Sequence, residues 1–219
     1  MEDRFNMTLE ENIFLAKKEL VNNIYSNARV EGINVTFPET YAILEGTNVS
    51  RLSIDEIQCI LNLRDAWKYV IENVSIPINL EYICKINEFV SRNESLKWGV
   101  LREGKIGISG VDYIPPIPNK EKVEKEINDI LSIENITLRA IKYMLYGMRT
   151  QLFWDGNKRT STICANKILI ENGKGIIRIP DNCIEEFNTL LSNYYNTNIE
   201  SPILEFIYNH CIYGIEYEK

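Results

Sequence analysis

The sequence has little that could cross-link a fold or cross a membrane. Its five cysteines, an odd number, are spread over 219 residues and lie in apolar stretches, which is typical of reduced, buried thiols. No CxxC or Cys/His pair suggests zinc, and the single histidine is His210. No run of 18 apolar residues occurs, and the first residues lack a basic segment followed by an apolar one. We therefore expect a cytoplasmic protein with no membrane partner.

An excess of positive charge is also missing. The formal net charge is −7, whereas nucleic-acid backbones and anionic membranes attract basic surfaces. We therefore expect no nucleic-acid partner. The basic residues concentrate between Arg139 and Arg178, and this stretch is either a solvated face or a site for an anion.

Amphipathic helix accounts for most of the sequence, because apolar residues recur at helical spacing. Three pairs match the capping box that opens a helix: Thr8 with Glu11, Ser53 with Glu56, and Asn182 with Glu185. The predicted late helices span 157–172, with Gly173 as the left-handed cap, 183–195 and 202–213. No internal repeat or low-complexity linker interrupts the chain, which indicates a single domain.

Residues 97–118, KWGVLREGKIGISGVDYIPPIP, break the helical pattern. Two short β-prone runs flank Glu103-Gly104, and a proline-rich stop follows. We predict a small β-hairpin near 98–109. Because an isolated hairpin is marginally stable in water, it either covers the core or acts as a flap that binds an extended segment of another protein.

The densest polar cluster is QLFWDGNKR, which covers residues 151–159 between two predicted helices. A Gly-Asn pair that opens a helix leaves backbone amides free, and these amides favour a phosphate when two cationic side chains follow. A carboxylate just before them, Asp155, can hold a magnesium ion that bridges phosphates. An ordinary turn with an Asn cap explains the letters DGNKR equally well.

The whole string resembles the signature of the Fic family, His-x-Phe-x-Asp/Glu-Gly-Asn-Gly/Lys-Arg, at every defined position except the first. TSTICANKILIENG, FNTLLSNYY and the run ending in DYIPPIP fall where Fic proteins have the following helix, a late helix and the target-binding flap. The resemblance implies a mainly α fold, a Fic-type helical bundle with a small β-hairpin flap near 98–109. It also implies one Fic-like domain over 1–219, with N-terminal helices in 1–75 and the Fic core in 76–219.

The resemblance further implies binding of ATP with Mg²⁺ and transfer of AMP to a Ser, Thr or Tyr hydroxyl of a target protein. By position, the residues with implied roles are Asp155 for the metal, Gly156, Asn157, Lys158 and Arg159 for the nucleotide, Arg159 also for catalysis, and Gly104, Lys105, Ile106 and Gly107 for the target-binding flap. The catalytic His position is occupied by Gln151. Whether the chain forms a homodimer is open from the sequence.

Two departures from the family pattern keep alternatives open. A Gln amide does not titrate near neutral pH, so Gln151 can orient a hydroxyl but cannot act as a general base. Many Fic proteins have a second Arg three positions after the motif Arg, where this chain has Thr162. A nucleotide-binding, partner-binding pseudoenzyme and a Doc-like protein phosphotransferase are therefore alternatives to AMP transfer.

Residues 40–46 resemble the inhibitory helix of Fic proteins, Ser/Thr-x-x-x-Glu-Gly/Asn, although Tyr41 occupies the Ser/Thr position. The resemblance implies a regulatory role for Glu45 and Gly46, with Arg159 or Lys158 as the partner of the carboxylate. In the alternative interpretation, Gly46 only caps a short helix and Glu45 faces water.

Overall fold

The computed structural model describes residues 1–216 and confirms the mainly helical fold. The helices are α1 (Leu9–Lys18), α2 (Leu20–Val30), α3 (Phe37–Leu44), α4 (Ile54–Glu72), α5 (Leu80–Val90), α6 (Lys120–Leu131), α7 (Ile136–Thr150), α8 (Asn157–Glu171), α9 (Ile184–Thr197) and α10 (Ser201–His210). A 3-10 helix covers Asp181–Cys183, and two short strands are β1 (Ile176–Ile177) and β2 (Ile212–Tyr213).

Local capping sets where several helices begin. The capping boxes at Thr8 and Ser53 form as predicted, and a third box, at Thr36, opens α3. The prediction for Asn182 is wrong, because this residue lies inside the 3-10 helix and α9 begins at Ile184 without a side-chain cap. A carboxylate three residues after Asn182 therefore does not by itself specify a helix start.

Helix α8 lies at the centre of the fold. It packs on α7, α5, α4 and α1, and its residues from Asn157 to Ile170 are buried apart from Lys158. Helices α7 and α8 approach closely at Gly147, where an added Cβ would lie 2.3 Å from Ser161 Oγ. Because α8 is buried on every side, its first turn is held rigidly by the surrounding helices.

The small antiparallel sheet joins β1 to β2, with Ile176 opposite Tyr213 and Ile177 opposite Ile212. The Asn166 side chain of α8 holds this sheet, because its amide donates to the carbonyl of Ile177 and accepts from the Ile177 N–H, both at 2.9 Å. The predicted helix over 202–213 therefore ends early, at His210, and its last predicted residues form β2.

The predicted β-hairpin near 98–109 is wrong, since no strand forms within these described residues. Residues 102–116 instead form a loop, here called the flap loop, whose two ends meet at the Arg102 side chain. The backbone N–H of Arg102 donates to the carbonyl of Leu152 at 3.0 Å. Its guanidinium donates to the carbonyls of Pro115 and Pro116. The flap loop therefore has the closed neck of an Ω-loop.

The cysteines agree with the prediction of reduced thiols. Cys59, Cys84, Cys164, Cys183 and Cys211 are all free thiols, and none is exposed. None of the helices formed by residues 1–216 combines the length and apolar character that a membrane span requires.

Candidate functional site

Two left-handed residues shape the segment between α7 and α8, here called the motif loop (residues 151–156). Gln151 has a φ of 48° and ends α7, and Gly156 has a φ of 71° and precedes α8. A Cβ on Gly156 would also lie 2.4 Å from Ser91 Oγ. Both the backbone conformation and this close approach therefore require glycine at position 156.

The Asn157 side chain holds the motif loop rather than a ligand. Its carbonyl accepts from the Phe153 N–H at 2.9 Å, and its amide donates to the carbonyl of Phe153 at 2.9 Å. Phe153 is buried, as an inward-pointing anchor should be. Any contact of Asn157 with a phosphate therefore falls to its backbone at the start of α8.

Each end of the Gln151 amide makes one hydrogen bond within the protein. Nε2 donates to the carbonyl of Met148 at 2.6 Å, and Oε1 accepts from Asn157 Nδ2 at 3.1 Å. The side chain thus connects the end of α7 to the start of α8. The amide keeps a second N–H and a second acceptor lone pair, so Gln151 can still hydrogen-bond a substrate hydroxyl while it makes these contacts.

Arg159 is buried beneath the motif loop among three carboxylates. Its Nη1 lies 2.7 Å from Glu94, its Nη2 3.4 Å from Asp155, and its Nε 3.7 Å from Glu31. Burial opposes the charge of the guanidinium, but these neighbours, Glu31 foremost, raise the pKa of Arg159 above its ordinary value. Arg159 is therefore permanently cationic and organises the acidic side chains around it.

Two further groups complete the surroundings of Arg159. Its Nη1 also donates to the carbonyl of Val90 at 3.2 Å and contacts Cys59 Sγ at 3.0 Å. Burial raises the pKa of the Cys59 thiol to about 12. Cys59 is therefore neutral at pH 7 and adds no negative charge to the cluster.

Lys158 and Glu31 lie at the edge of the same cluster. Lys158 Nζ donates to the carbonyl of Val30 at 3.1 Å and lies 3.9 Å from Glu31 Oε2. Within residues 1–216, this buried Glu31 oxygen and Arg159 Nε have no hydrogen-bond partner. A carboxylate thus lies against both cationic side chains that the sequence assigned to phosphate.

A cavity of about 680 Å³ opens above the motif loop. Of the residues assigned to the site from sequence, those that line this cavity are Gln151, Asp155, Asn157, Lys158, Ile106 and Gly107. Glu31 and Trp154 line it as well. The structure therefore brings the motif loop, the start of α8 and the tip of the flap loop to one cavity, whereas Arg159 lies buried below.

Glu45 and Gly46 lie elsewhere. Gly46 has a φ of 86° and follows α3 as a left-handed cap, and Glu45 is exposed. Among the ion pairs formed within residues 1–216, those of Lys158 and Arg159 do not include Glu45. The structure therefore agrees with the interpretation in which Gly46 caps a short helix, and the expected pairing of Glu45 with Arg159 or Lys158 is absent.

Sequence reasoning missed Glu31 and Glu94. Glu31 precedes a glycine directly after a helix, as Glu45 does, so the pair Glu31-Gly32 carries the same sequence signal as Glu45-Gly46. Glu94 follows a turn with a left-handed Asn93 and has no sequence signal. Thr162 is buried and donates its hydroxyl to the Lys158 carbonyl, so it supplies no positive charge in place of the second Arg.

The indole of Trp154 lies against Gly104 of the flap loop. A Cβ on Gly104 would lie 2.4 Å from Trp154 Cη2, whereas a Cβ on Gly107 would meet nothing within 4 Å. Neither glycine has a left-handed φ. Gly104 is thus required for space rather than for backbone conformation.

We expect Gly104→Ala to lower the free energy of unfolding by about 1–3 kcal/mol, the usual cost of overpacking, because the loop must move away from Trp154. Gly107→Ala is the matched control and should leave stability within about 0.5 kcal/mol of the parent. Urea denaturation of both variants measures the difference. Equal stabilities would show that the loop does not rest on Trp154.

Comparison with known proteins places this site in a family. Residues 77–169 match the family model described as Fic/DOC family, and the motif loop lies inside the matched span. Residues 77–169 form a Fic/DOC-family domain. The match begins just before α5 and ends within α8, so the Fic domain includes Glu94, the flap loop and Arg159 but not Glu31.

The relatives of this Fic domain include proteins named Protein adenylyltransferase Fic. Those from Drosophila persimilis and Drosophila melanogaster are each 29% identical to the chain, over 181 and 179 residues, and the match covers 75% of this chain. It covers 34% and 35% of those proteins, respectively. The chain therefore spans about a third of the length of these relatives.

Solved structures show the same fold. A fragment of Fic-1 from C. elegans superimposes with a TM-score of 0.75 at 21% identity, covering 89% of this chain and 60% of that one. A Fic domain containing signaling protein from Bacteroides thetaiotaomicron gives a TM-score of 0.73 at 15% identity, covering 93% and 85%. The helical bundle is thus a Fic fold that extends beyond the matched span.

Proposed function

We propose that the chain binds ATP with Mg²⁺ at the motif loop and transfers AMP to a Ser, Thr or Tyr hydroxyl of a target protein, at a rate lowered by Gln151. The cavity carries this proposal, because it brings Asp155, Lys158 and the start of α8 together beneath the flap loop. Its volume of about 680 Å³ suits a small-molecule ligand. The names of the Drosophila relatives support the same reaction.

The donors at the motif loop fit a magnesium ion that is shared with a nucleotide. Mg²⁺ usually binds through one or two carboxylates plus phosphate oxygens and water. Asp155 offers one carboxylate, 44% exposed, and within residues 1–216 no cluster of three acidic, His or Cys side chains could hold a metal alone. We therefore assign Asp155 to the ion, which would neutralise phosphate charge when bound.

The remaining steps are assigned to residues of the chain. AMP transfer joins the target's hydroxyl oxygen to the α-phosphorus, breaks the bond to the bridging oxygen, and releases pyrophosphate and the hydroxyl proton. Lys158 and Arg159 stabilise the phosphate charge, and residues 104–107 of the flap loop bind the target backbone. Gln151 cannot accept the proton, so the proton must leave to solvent or to a base of the target.

A nucleotide-binding pseudoenzyme is the second candidate. Two observations favour it: Gln151 supplies no general base, and Arg159 is already paired with carboxylates. A third candidate, a Doc-like phosphotransferase, is favoured by the uncharged Thr162, because the terminal phosphate then lacks its usual second Arg.

Labelled ATP separates the three candidates. The protein is incubated with Mg²⁺, a cell lysate and ATP labelled at either the α-phosphate or the γ-phosphate. Label transferred only from the α-phosphate supports AMP transfer, and label transferred only from the γ-phosphate supports phosphorylation. ATP binding by calorimetry without transfer of either label supports the pseudoenzyme.

Glu31 opposes nucleotide binding in this proposal, because its carboxylate lies beside the two cationic groups that phosphate would approach. We expect Glu31→Gln to strengthen ATP binding by roughly tenfold, equivalent to about 1.4 kcal/mol. Glu45→Gln, at the exposed end of α3, is the matched control and should leave the affinity unchanged. Calorimetry with MgATP measures both, and a larger effect of Glu45→Gln would return the regulatory role to residues 40–46.

A further inference from the structure

Arg102 is a buried cation that is held by backbone carbonyls. Its side chain is among the largest that are fully buried, at 1% exposure. No ion pair of Arg102 exists within residues 1–216, and burial lowers its pKa below the ordinary value for arginine. Burying an unpaired charge is costly unless hydrogen bonds satisfy it, so the contacts of the guanidinium explain why the residue can be tolerated there.

Those contacts are backbone carbonyls from three segments. Nε donates to Gln151 O at 2.6 Å, and Nη1 donates to Gly104 O at 2.6 Å. Nη2 donates to Pro116 O at 2.5 Å and to Pro115 O at 3.2 Å. One planar fork therefore joins the end of α7, the first part of the flap loop and its last part.

The Arg102 guanidinium lies between the motif loop and the flap loop. On one side, Gln151 begins the motif loop at the C-terminal end of α7, where carbonyl oxygens carry partial negative charge that favours a cation. On the other side, Ile106 and Gly107 reach over the cavity. Only arginine offers five donors in a rigid planar arrangement, whereas lysine presents a single point charge.

We propose that Arg102 is a positioning residue that fixes the height of the flap loop above the motif loop and thereby sets the affinity of the site for its protein target. Arg102 lines no part of the cavity and so acts through the flap loop rather than on the nucleotide. The functional part of this inference rests on the proposed function, whereas the structural part, the fixing of the loop, does not.

The structural part is tested by hydrogen exchange of Arg102→Met and Arg102→Lys. We expect Arg102→Met to raise exchange at least tenfold, about 1.4 kcal/mol, at the hydrogen-bonded amides of residues 102, 111–113 and 153 but not in α4 or α10. Arg102→Lys should show a smaller rise and keeps the test available if Arg102→Met does not fold. Arg139→Met is the control, because Arg139 also donates to a backbone carbonyl, that of Ile133, at the other end of α7. Exchange that rises uniformly, or not at all, would overturn the proposal.

The functional part is tested with a target protein. Labelling from the α-phosphate identifies this target in the lysate, and the target is then purified in its unmodified form. We expect Arg102→Lys to raise the KM for the target by roughly tenfold while the KM for ATP stays within about twofold. Equal rises of both constants, or no rise of the target KM, would overturn the assigned role. If the protein with Arg102 intact transfers no label from the α-phosphate, the proposed function fails, and the exchange experiment alone decides whether Arg102 fixes the loop.

Discussion

Gln151→His is expected to raise the rate of AMP transfer by about 10²- to 10⁴-fold, the contribution typical of a positioned general base. Histidine has an ordinary pKa of about 6.5 and tolerates the left-handed conformation of position 151 better than most residues do. It would lie at the wall of the cavity, beside Asp155 and Lys158. The rate of label transfer from α-labelled ATP, followed between pH 5 and 8, measures the change.

Gln151→Ala is the matched control for this experiment. It removes the hydrogen bonds to Met148 and Asn157 without supplying a base, so its rate should not exceed that of the parent. A rate in Gln151→His equal to that in Gln151→Ala would mean that proton removal does not limit the reaction. The positive charge of the second family Arg, which Thr162 does not supply, would then be the next feature to test.

Arg159→Met is expected to lower the free energy of unfolding by about 3–5 kcal/mol, the usual result of removing one partner of a buried ion pair. The substitution would leave Glu94, Glu31 and Asp155 close together without the cation between them. Denaturation by urea at pH 7 measures the loss.

Lys158→Met is the control for Arg159→Met. Lys158 precedes Arg159 in sequence, but its side chain is 28% exposed, and its Nζ lies 3.9 Å from the carboxylate of Glu31. We expect a loss below about 1 kcal/mol, as for other partly exposed pairs. A loss in Arg159→Met that is also below about 1 kcal/mol would show that the buried cluster around Arg159 does not stabilise the fold.

The sequence predicts this fold where the decisive signals are local. The capping boxes at Thr8 and Ser53 depend on residues three positions apart, and both form. The left-handed Gly173 after α8 also depends only on its neighbours. The motif loop belongs only partly to this class, because the contact of Asn157 with Phe153 is local, whereas Asn87 binds the loop from a distant helix.

The predicted hairpin fails because a distant contact overrides local β-propensity. Residues near Gly104 have strand-forming neighbours, but the Arg102 guanidinium binds the carbonyls of Pro115 and Pro116, and its backbone binds Leu152. The sequence does not show that a charged side chain lies inside the neck of the loop. A pattern of β-prone runs therefore identified the loop but not its structure.

The acidic residues of the site could not be predicted from the sequence for a related reason. Glu31 and Glu45 have the same local signature, a helix end followed by glycine, and only the contact of Glu31 with Lys158 and Arg159 distinguishes them. Glu94 depends on the end of α5, where Asn87 of the helix and Ser91 just after it bind the motif loop. Charge partners that are far apart in sequence are set by tertiary structure and cannot be ranked from local pattern.

The central place of α8 has a practical consequence for anyone who wishes to study the family-matched segment in isolation. An excised fragment comprising residues 77–169 would uncover the surfaces of α8 that α1 and α4 cover, and the exposed apolar area would favour aggregation. It would also free Lys158 and Arg159 from Glu31. Anion binding by such a fragment would overstate the affinity of the longer chain, because the N-terminal acidic group would be missing.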